Sequence, residues 1–217
     1  MGMKAKERYK NAKGEVIPGV TTIVGELGWN KNTLVAWANK IGLLGYKSQA
    51  YVDDKAKIGK LAHALILAEL EGKLPDTADY SSNQIKQAEN CLASYWEWRT
   101  EKTIEPIMIE KPFISETHQF GGTSDFYGKI DNIPTIVDYK TGKGIWPEFI
   151  IQVAAYKHLF EENKFQIDAV RLLSIPRADD ESFSEKIING TQLAAGWEIF
   201  KHLLVIYNLK GAIKREV

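Results

Sequence analysis

In the stretch "IVDYKTG", residues 136–142, an acid and an ammonium recur at a spacing of two. Side chains of an extended strand alternate between faces. Ile136, Asp138 and Lys140 therefore point one way, and Val137 and Tyr139 the other. A carboxylate and a lysine beside an apolar face make either a structural ion pair or half of a metal-dependent site. A second acid, Asp125, sits upstream in "GGTSDFYG". If that strand pairs with the one carrying Asp138, the two carboxylates converge near one end of a sheet. They repel each other unless a cation lies between them. Mg²⁺ or Mn²⁺ prefers such oxygen ligands and accepts a phosphodiester oxygen into its shell. Lys140 on the same face could orient or help deprotonate an attacking water, or stabilise charge developing on phosphorus. Asp125, Asp138 and Lys140 thus form a coherent set for phosphodiester hydrolysis. Gly121, Gly122 and Gly142 are small enough to admit a substrate strand.

Helices and strands must position these groups. Residues 1–15 read as a polar, basic lead or short edge strand, and "TTIVGELG" as a helical turn capped by Thr21 or Thr22. "NKNTLVAWANKIGLLG" has Leu34, Trp37, Ala38 and Ile41 at helical spacing, with Gly42 or Gly45 to end it. The clearest helix covers 48–72, with Ala56, Gly59, Ala62, His63 and Ile66 on one broad face. A second long helix is expected over 83–102 with Ser82 as cap. Its Tyr95, Trp96 and Trp98 suit a core better than a stacking surface.

The pattern then becomes β-rich. "IEPIMIEKPFIS", "HQFGGTSDFYGKID" and "IPTIVDYKTG" predict a three-strand meander, with Glu110 on its first strand and Asn132 in a tight connection. A helix over "WPEFIIQVAAYKHLFEEN", a strand over "FQIDAVRLLSIP" and a final helix ending at Gly211 complete the order helices, then βββαβα. This predicts an α/β fold with one domain over 1–217, in which 1–104 supplies helices and a groove wall and 105–210 the core.

Composition narrows the function classes. Hydrophobic residues at 44% and charged residues at 26% suit a soluble globular chain. Lys+Arg and Asp+Glu both number 28, so a nucleic-acid binder with this balance needs a locally basic groove. One cysteine, Cys91, excludes an intrachain disulfide framework and an iron–sulfur cluster held by four cysteines of this chain. The first twenty residues lack an apolar signal-peptide core, and no apolar run approaches the length of a membrane span. A cytoplasmic protein with no membrane partner is expected. No GxxxxGK[ST] motif for a motor is present.

In order and spacing, "GGTSDFYGKID", "TIVDYKTG" and "IIQVAAYKH" resemble the PD-(D/E)XK nuclease superfamily, most of all its RecB-like, phage-type exonuclease branch. The similarity is clear over about 59–158 and strongest over 121–156. It implies a restriction-endonuclease-like core, a mixed central sheet flanked by helices. It implies a deoxyribonuclease using Mg²⁺ or Mn²⁺, without an iron–sulfur cluster. Asp125, Asp138 and Lys140 match the catalytic positions. His63, in "GKLAHALI", matches a helical histidine at the metal, joined by Asp125, Asp138 and the Tyr139 backbone carbonyl. Gln152 and Tyr156, four apart on one helix face, match supporting positions. Glu110 matches a more variable acid. Gly59, one turn before His63, could give a DNA backbone access.

Lys60, Lys129, Lys143 and Lys157 are candidate phosphate contacts and Trp146 a candidate stacking surface, though each is as readily an ordinary solvated or packed residue. Asp131 reads as structural. The literal Pro-Asp opening of the motif is replaced by Thr123-Ser124-Asp125. The partner implied is DNA, as a single strand or a duplex end, in recombination, repair or replication of a phage or mobile element within a bacterial or infected cell. A recombination or replication protein could join it. A structure-specific or nicking endonuclease is the alternative, and a non-catalytic DNA-binding protein with the same fold a further one.

Overall fold

The computed structural model describes residues 8–72 and 75–215. Its elements run α1 (Val20–Val24), α2 (Lys31–Leu43), α3 (Ser48–Glu71), α4 (Ser82–Arg99), β1 (Ile104–Ile109), β2 (Pro112–Ser115), β3 (Phe120–Thr123), β4 (Phe126–Ile130), β5 (Ile133–Thr141), α5 (Pro147–Glu162), β6 (Ala169–Ile175), β7 (Ser184–Ile187) and α6 (Gly190–Arg215). The main sheet has the order β1-β4-β5-β6-β7, and β2 and β3 form a separate pair. Only β5 and β6 run parallel; the other neighbours are antiparallel. This is the mixed central sheet flanked by helices that a restriction-endonuclease-like α/β core requires.

The alternation within β5 divides the core in two. Ile136 joins Ile151, Tyr156 and Leu159 of α5 and Phe200 of α6 on one face. Val137 and Tyr139 join Leu61 and Ala62 of α3 and Tyr95 and Trp98 of α4 on the other. Because one face carries α5 and α6 and the other α3 and α4, a one-residue slip of β5 would bury the wrong set on both sides. Asp138 and Lys140 share the face of Ile136, as the spacing predicts.

Several sequence expectations shift. Gly19, not Thr21 or Thr22, precedes α1, and no side chain caps it. Ser81, one residue before the expected cap, closes α4 in a capping box with Gln84. Of the expected α2 face only Ile41 is buried; Leu34 is half exposed. The expected meander of three strands is broken into five. Glu110 adopts a positive φ of 46° between β1 and β2, off the strand, and Ser124 and Asp125 interrupt β3 and β4. β7 forms where a helix is expected, held to β6 by the Arg171–Glu185 pair at 2.6 Å. α6 then passes through Gly196, packed against α5, and Gly211 to Arg215. Asp131 and Asn132 form the expected tight turn with φ of 53° and 66°.

Gly128 shows how closely the edge strand is fitted. A Cβ there would lie 2.2 Å from the Glu105 carbonyl oxygen of β1 and 2.7 Å from the Phe126 ring. Overpacking of this kind costs about 1–3 kcal/mol. Gly128→Ala should therefore lower the urea midpoint at an unchanged m-value; an unaltered midpoint would show that β1 yields freely.

Candidate active site

β4 and β5 stay paired up to Phe126 opposite Val137. There the chain of β4 breaks, and the Asp125 side chain replaces its backbone: Oδ2 accepts a hydrogen bond from the Tyr139 N–H at 2.7 Å. A strand residue sends its N–H and C=O to the same side, so the Tyr139 carbonyl opens toward Asp125 as well. The Asp125 carbonyl in turn accepts from the Glu110 N–H at 3.1 Å, which brings the positive-φ residue alongside. His63 reaches in from α3, its Nδ1 3.6 Å from Asp125 Oδ1.

Asp138 is 2% exposed. Its Oδ2 lies 2.7 Å from Lys140 Nζ. Lys140 also donates to Gln152 Oε1 at 3.0 Å, and Gln152 Nε2 donates to the Tyr156 hydroxyl at 2.8 Å. The i, i+4 spacing of Gln152 and Tyr156 on α5 makes this relay. The Lys140 ammonium sits 4.9 Å from the centre of the Phe149 ring. The result is one continuous arrangement, Asp138–Lys140–Gln152–Tyr156, facing Asp125–His63.

These side chains line one cavity of about 570 Å³. His63, Glu110, Asp125, Asp138, Lys140, Gln152 and Tyr156 all contribute to its wall. Residues that sequence reasoning did not single out complete it. Arg8 and Lys10 add cationic side chains, and Tyr9 donates to or accepts from Thr123 Oγ1 at 2.9 Å. The basic lead was their sole signal; its docking beside β3 is a tertiary event.

Charge in the cavity is balanced within the protein. Burial raises the Asp138 carboxyl to about 6, with Asp125 adding to the rise and Lys140 opposing it. Burial also opposes ionisation of Asp125, but His63, Lys140 and the Tyr139 N–H together hold it below the ordinary carboxylate range. Burial works against a charged His63; Asp125 and Asp138 outweigh it and raise the imidazole. Glu110 is raised by desolvation and by Asp125. Among the described residues no three His, Cys, Asp or Glu side chains close into a metal-holding group. Mg²⁺, however, is commonly held by one or two carboxylates, with water and substrate phosphate completing the shell. Asp125 and Asp138, with Glu110 and His63 in the same wall, fit that donor chemistry.

The remaining candidates lie elsewhere. Lys143 pairs with Asp180 at 2.6 Å, and Lys157 pairs with Glu161 one turn on. Lys129 faces Glu105 across the β1–β4 ladder. Trp146 is exposed at the start of α5, outside this cavity. Lys60 is exposed on α3. At Gly59 a Cβ would stand 2.8 Å from Thr141 Oγ1, so α3 packs closely against the end of β5 there. The spaces beside Gly121 and Gly122 are likewise filled, by the Tyr9 ring and by Tyr156, Leu159 and Val20. Tyr95 and Trp98 are buried in the core, while Trp96 is half exposed. No helix among the described residues is long and apolar enough to cross a membrane.

No family model and no curated protein matches the chain. Solved structures give a remote, partial likeness. A candidate exonuclease from Eubacterium rectale is 14% identical with a TM-score of 0.49, over 70% of this chain and 68% of that one. LHK-Exo, an alkaline exonuclease from Laribacter hongkongensis, is 13% identical with a TM-score of 0.35, over 70% and 84%. Its complex with dAMP gives 14%, 0.39, 72% and 83%. At such identities no residue role passes from those proteins to this one.

The coupling of Asp138 and Lys140 can be read directly. In metal-free protein, carboxyl ¹³C NMR should show Asp138 titrating near 6, protonated below and ionised above. Lys140→Ala removes the cation that favours the carboxylate, so the titration should move upward. A downward move, or none, would show that Lys140 does not face Asp138 in solution.

Proposed function

We propose that this protein is a divalent-metal-dependent deoxyribonuclease acting on DNA ends. The observation that carries the reading is the convergence of Asp125, Asp138, Lys140, His63 and Glu110 on one cavity. Acids of this kind, packed against a lysine that is fixed from two sides, suit phosphodiester hydrolysis. Asp125 and Asp138 would hold Mg²⁺ or Mn²⁺, with His63, Glu110 and the Tyr139 carbonyl within the same wall. When bound, the cation supplies Lewis-acid polarisation of the phosphodiester and a more acidic water.

The protein's own groups do the rest. Lys140 is held by Asp138 and by Gln152, and Gln152 by Tyr156. Its ammonium therefore keeps a fixed place from which to orient the attacking water. The water oxygen forms the new bond to phosphorus and gives up a proton to solvent, while the ester P–O bond breaks in line with it and the departing oxygen takes a proton from solvent. The ammonium then donates to the charge growing on the phosphoryl oxygens. Arg8 and Lys10 at the rim give the approaching phosphates a cationic entrance. The exonuclease form, and a place in recombination, repair or replication of a phage or mobile element, rest on the sequence resemblance.

End-labelled linear DNA beside closed circular DNA tests this, with Mg²⁺, Mn²⁺ or EDTA. Linear DNA should be degraded with metal and circles spared, and the rate should fall as the pH is lowered, because protonated Asp138 holds metal poorly. Asp138→Ala and Lys140→Ala should each lower the rate by about 100-fold or more. Cutting of circles would make the protein an endonuclease. Full activity in both variants would remove the site.

A further inference from the structure

A second concavity adjoins the cavity of Asp125 and Asp138 and shares His63 with it. It is a groove of about 880 Å³ lined along α3 by Tyr51, Val52, Lys55, Ala56, Gly59, Lys60 and His63. These residues recur at three- and four-residue spacing, so a single helix face forms the floor. From Tyr51 to His63 that face extends about 18 Å. Trp37 of α2 stands by Tyr51 and Thr141 by Gly59, and Phe149 and Arg177 complete the lining. Phe149 is the ring over which Lys140 sits, so the groove leads directly to the site.

The lining has a distinctive charge. It contains lysines and an arginine but no Asp or Glu. Arg177 is paired with Glu181, and Lys55 donates to Gln87 at 3.0 Å. Lys60 is exposed and has no ion pair among the described residues. Aromatic rings share the lining with these cations. Trp37 meets Tyr51 edge-on at 5.9 Å, the exposed Tyr46 meets Tyr51 at 6.4 Å, and the Lys55 ammonium lies 5.7 Å from the centre of the Tyr51 ring. In a chain of zero net charge this is the local basic groove that nucleic-acid binding demands. Base pairs inside a duplex hide their faces; unpaired bases present them to such rings.

We propose that this groove carries an unpaired DNA strand to the site, with bases stacked on Trp37 and Tyr51 and phosphates held by Lys55 and Lys60. The proposal rests on the nuclease reading above and adds strandedness to it. At 3.4 Å per stacked nucleotide, the floor accommodates up to about five nucleotides.

The test is fluorescence anisotropy in EDTA, with a labelled 12-nucleotide single strand and a blunt duplex of the same sequence. Trp37→Ala and Tyr51→Ala should each weaken single-strand binding about tenfold and change duplex binding less than twofold. Tyr51→Phe keeps the ring and should bind like the parent. Lys60→Gln should reduce the slope of log K against log salt by about 0.7. Circular dichroism identifies any variant that has not folded; if Trp37→Ala is such a case, Tyr51 and Lys60 decide. Unchanged single-strand affinity in the folded variants would overturn the proposal and assign the rings to another partner, and so would Tyr51→Phe behaving like Tyr51→Ala. Cleavage is assayed separately with metal. Cleavage without ring-dependent binding would sink the groove and leave the nuclease. Ring-dependent binding without cleavage by the parent protein would leave the groove and sink the nuclease.

Discussion

The hydrogen bond from the Tyr139 N–H to the Asp125 carboxylate is the constraint around which the site is built. It ends the β4–β5 ladder by substituting a side chain for a backbone acceptor, so no donor is wasted where the sheet opens. It also brings Asp125, in the break between β3 and β4, to the level of Asp138 on β5. Two carboxylates this enclosed cannot both ionise cheaply. The molecule resolves the conflict unevenly: His63 and Lys140 favour the charge on Asp125, and Asp138 keeps its proton up to about 6. The difference lies in the partners: burial opposes charge on both, but Asp125 has His63 at 3.6 Å and the Tyr139 N–H at 2.7 Å beside it, whereas Asp138 is relieved chiefly by Lys140.

That imbalance depends on the layers behind it. Tyr139 is buried against Tyr95 and near His63, and so fixes the α3 side of β5. Gln152 and Tyr156 fix the α5 side by holding Lys140. The polar groups of the site therefore stand on the two core clusters that β5 separates, with each face of the strand tied to a different helical layer. The close approach of Gly59 to Thr141 places α3 so that its His63 enters the cavity while its preceding turns floor the groove. One helix thus contributes both to a compact acidic centre and to a longer cationic, aromatic path.

Much of this was legible in the sequence because it is periodic. The alternation through Ile136–Lys140 placed Asp138 and Lys140 on one face, and the four-residue step placed Gln152 beside Tyr156. α3 ended where Gly72 could take a left-handed conformation, with φ of 71°. Less regular stretches misled. The runs around Glu110 and Asp125 have strand-like composition, but each breaks where side-chain or reversed-φ bonding replaces the ladder. β7 lay hidden because its partner, β6, is what makes it a strand; alone, Ser184–Ile187 has too little alternation to declare itself.

The sequence by itself determined the chemical inventory and the local faces: which acids, which lysine, which helix side, since period-two and period-3.6 geometry follow from covalent structure. Only the tertiary structure decided the convergences. It brought Glu110 beside Asp125 through backbone bonding, laid Tyr9 over Gly121 with Arg8 and Lys10 at the cavity, and paired Lys143 and Lys157 with acids while leaving Lys60 in the groove. Those contacts join segments far apart in the chain. They form because burying both faces of β5 fixes the surrounding elements at once, a condition that no single stretch of sequence states.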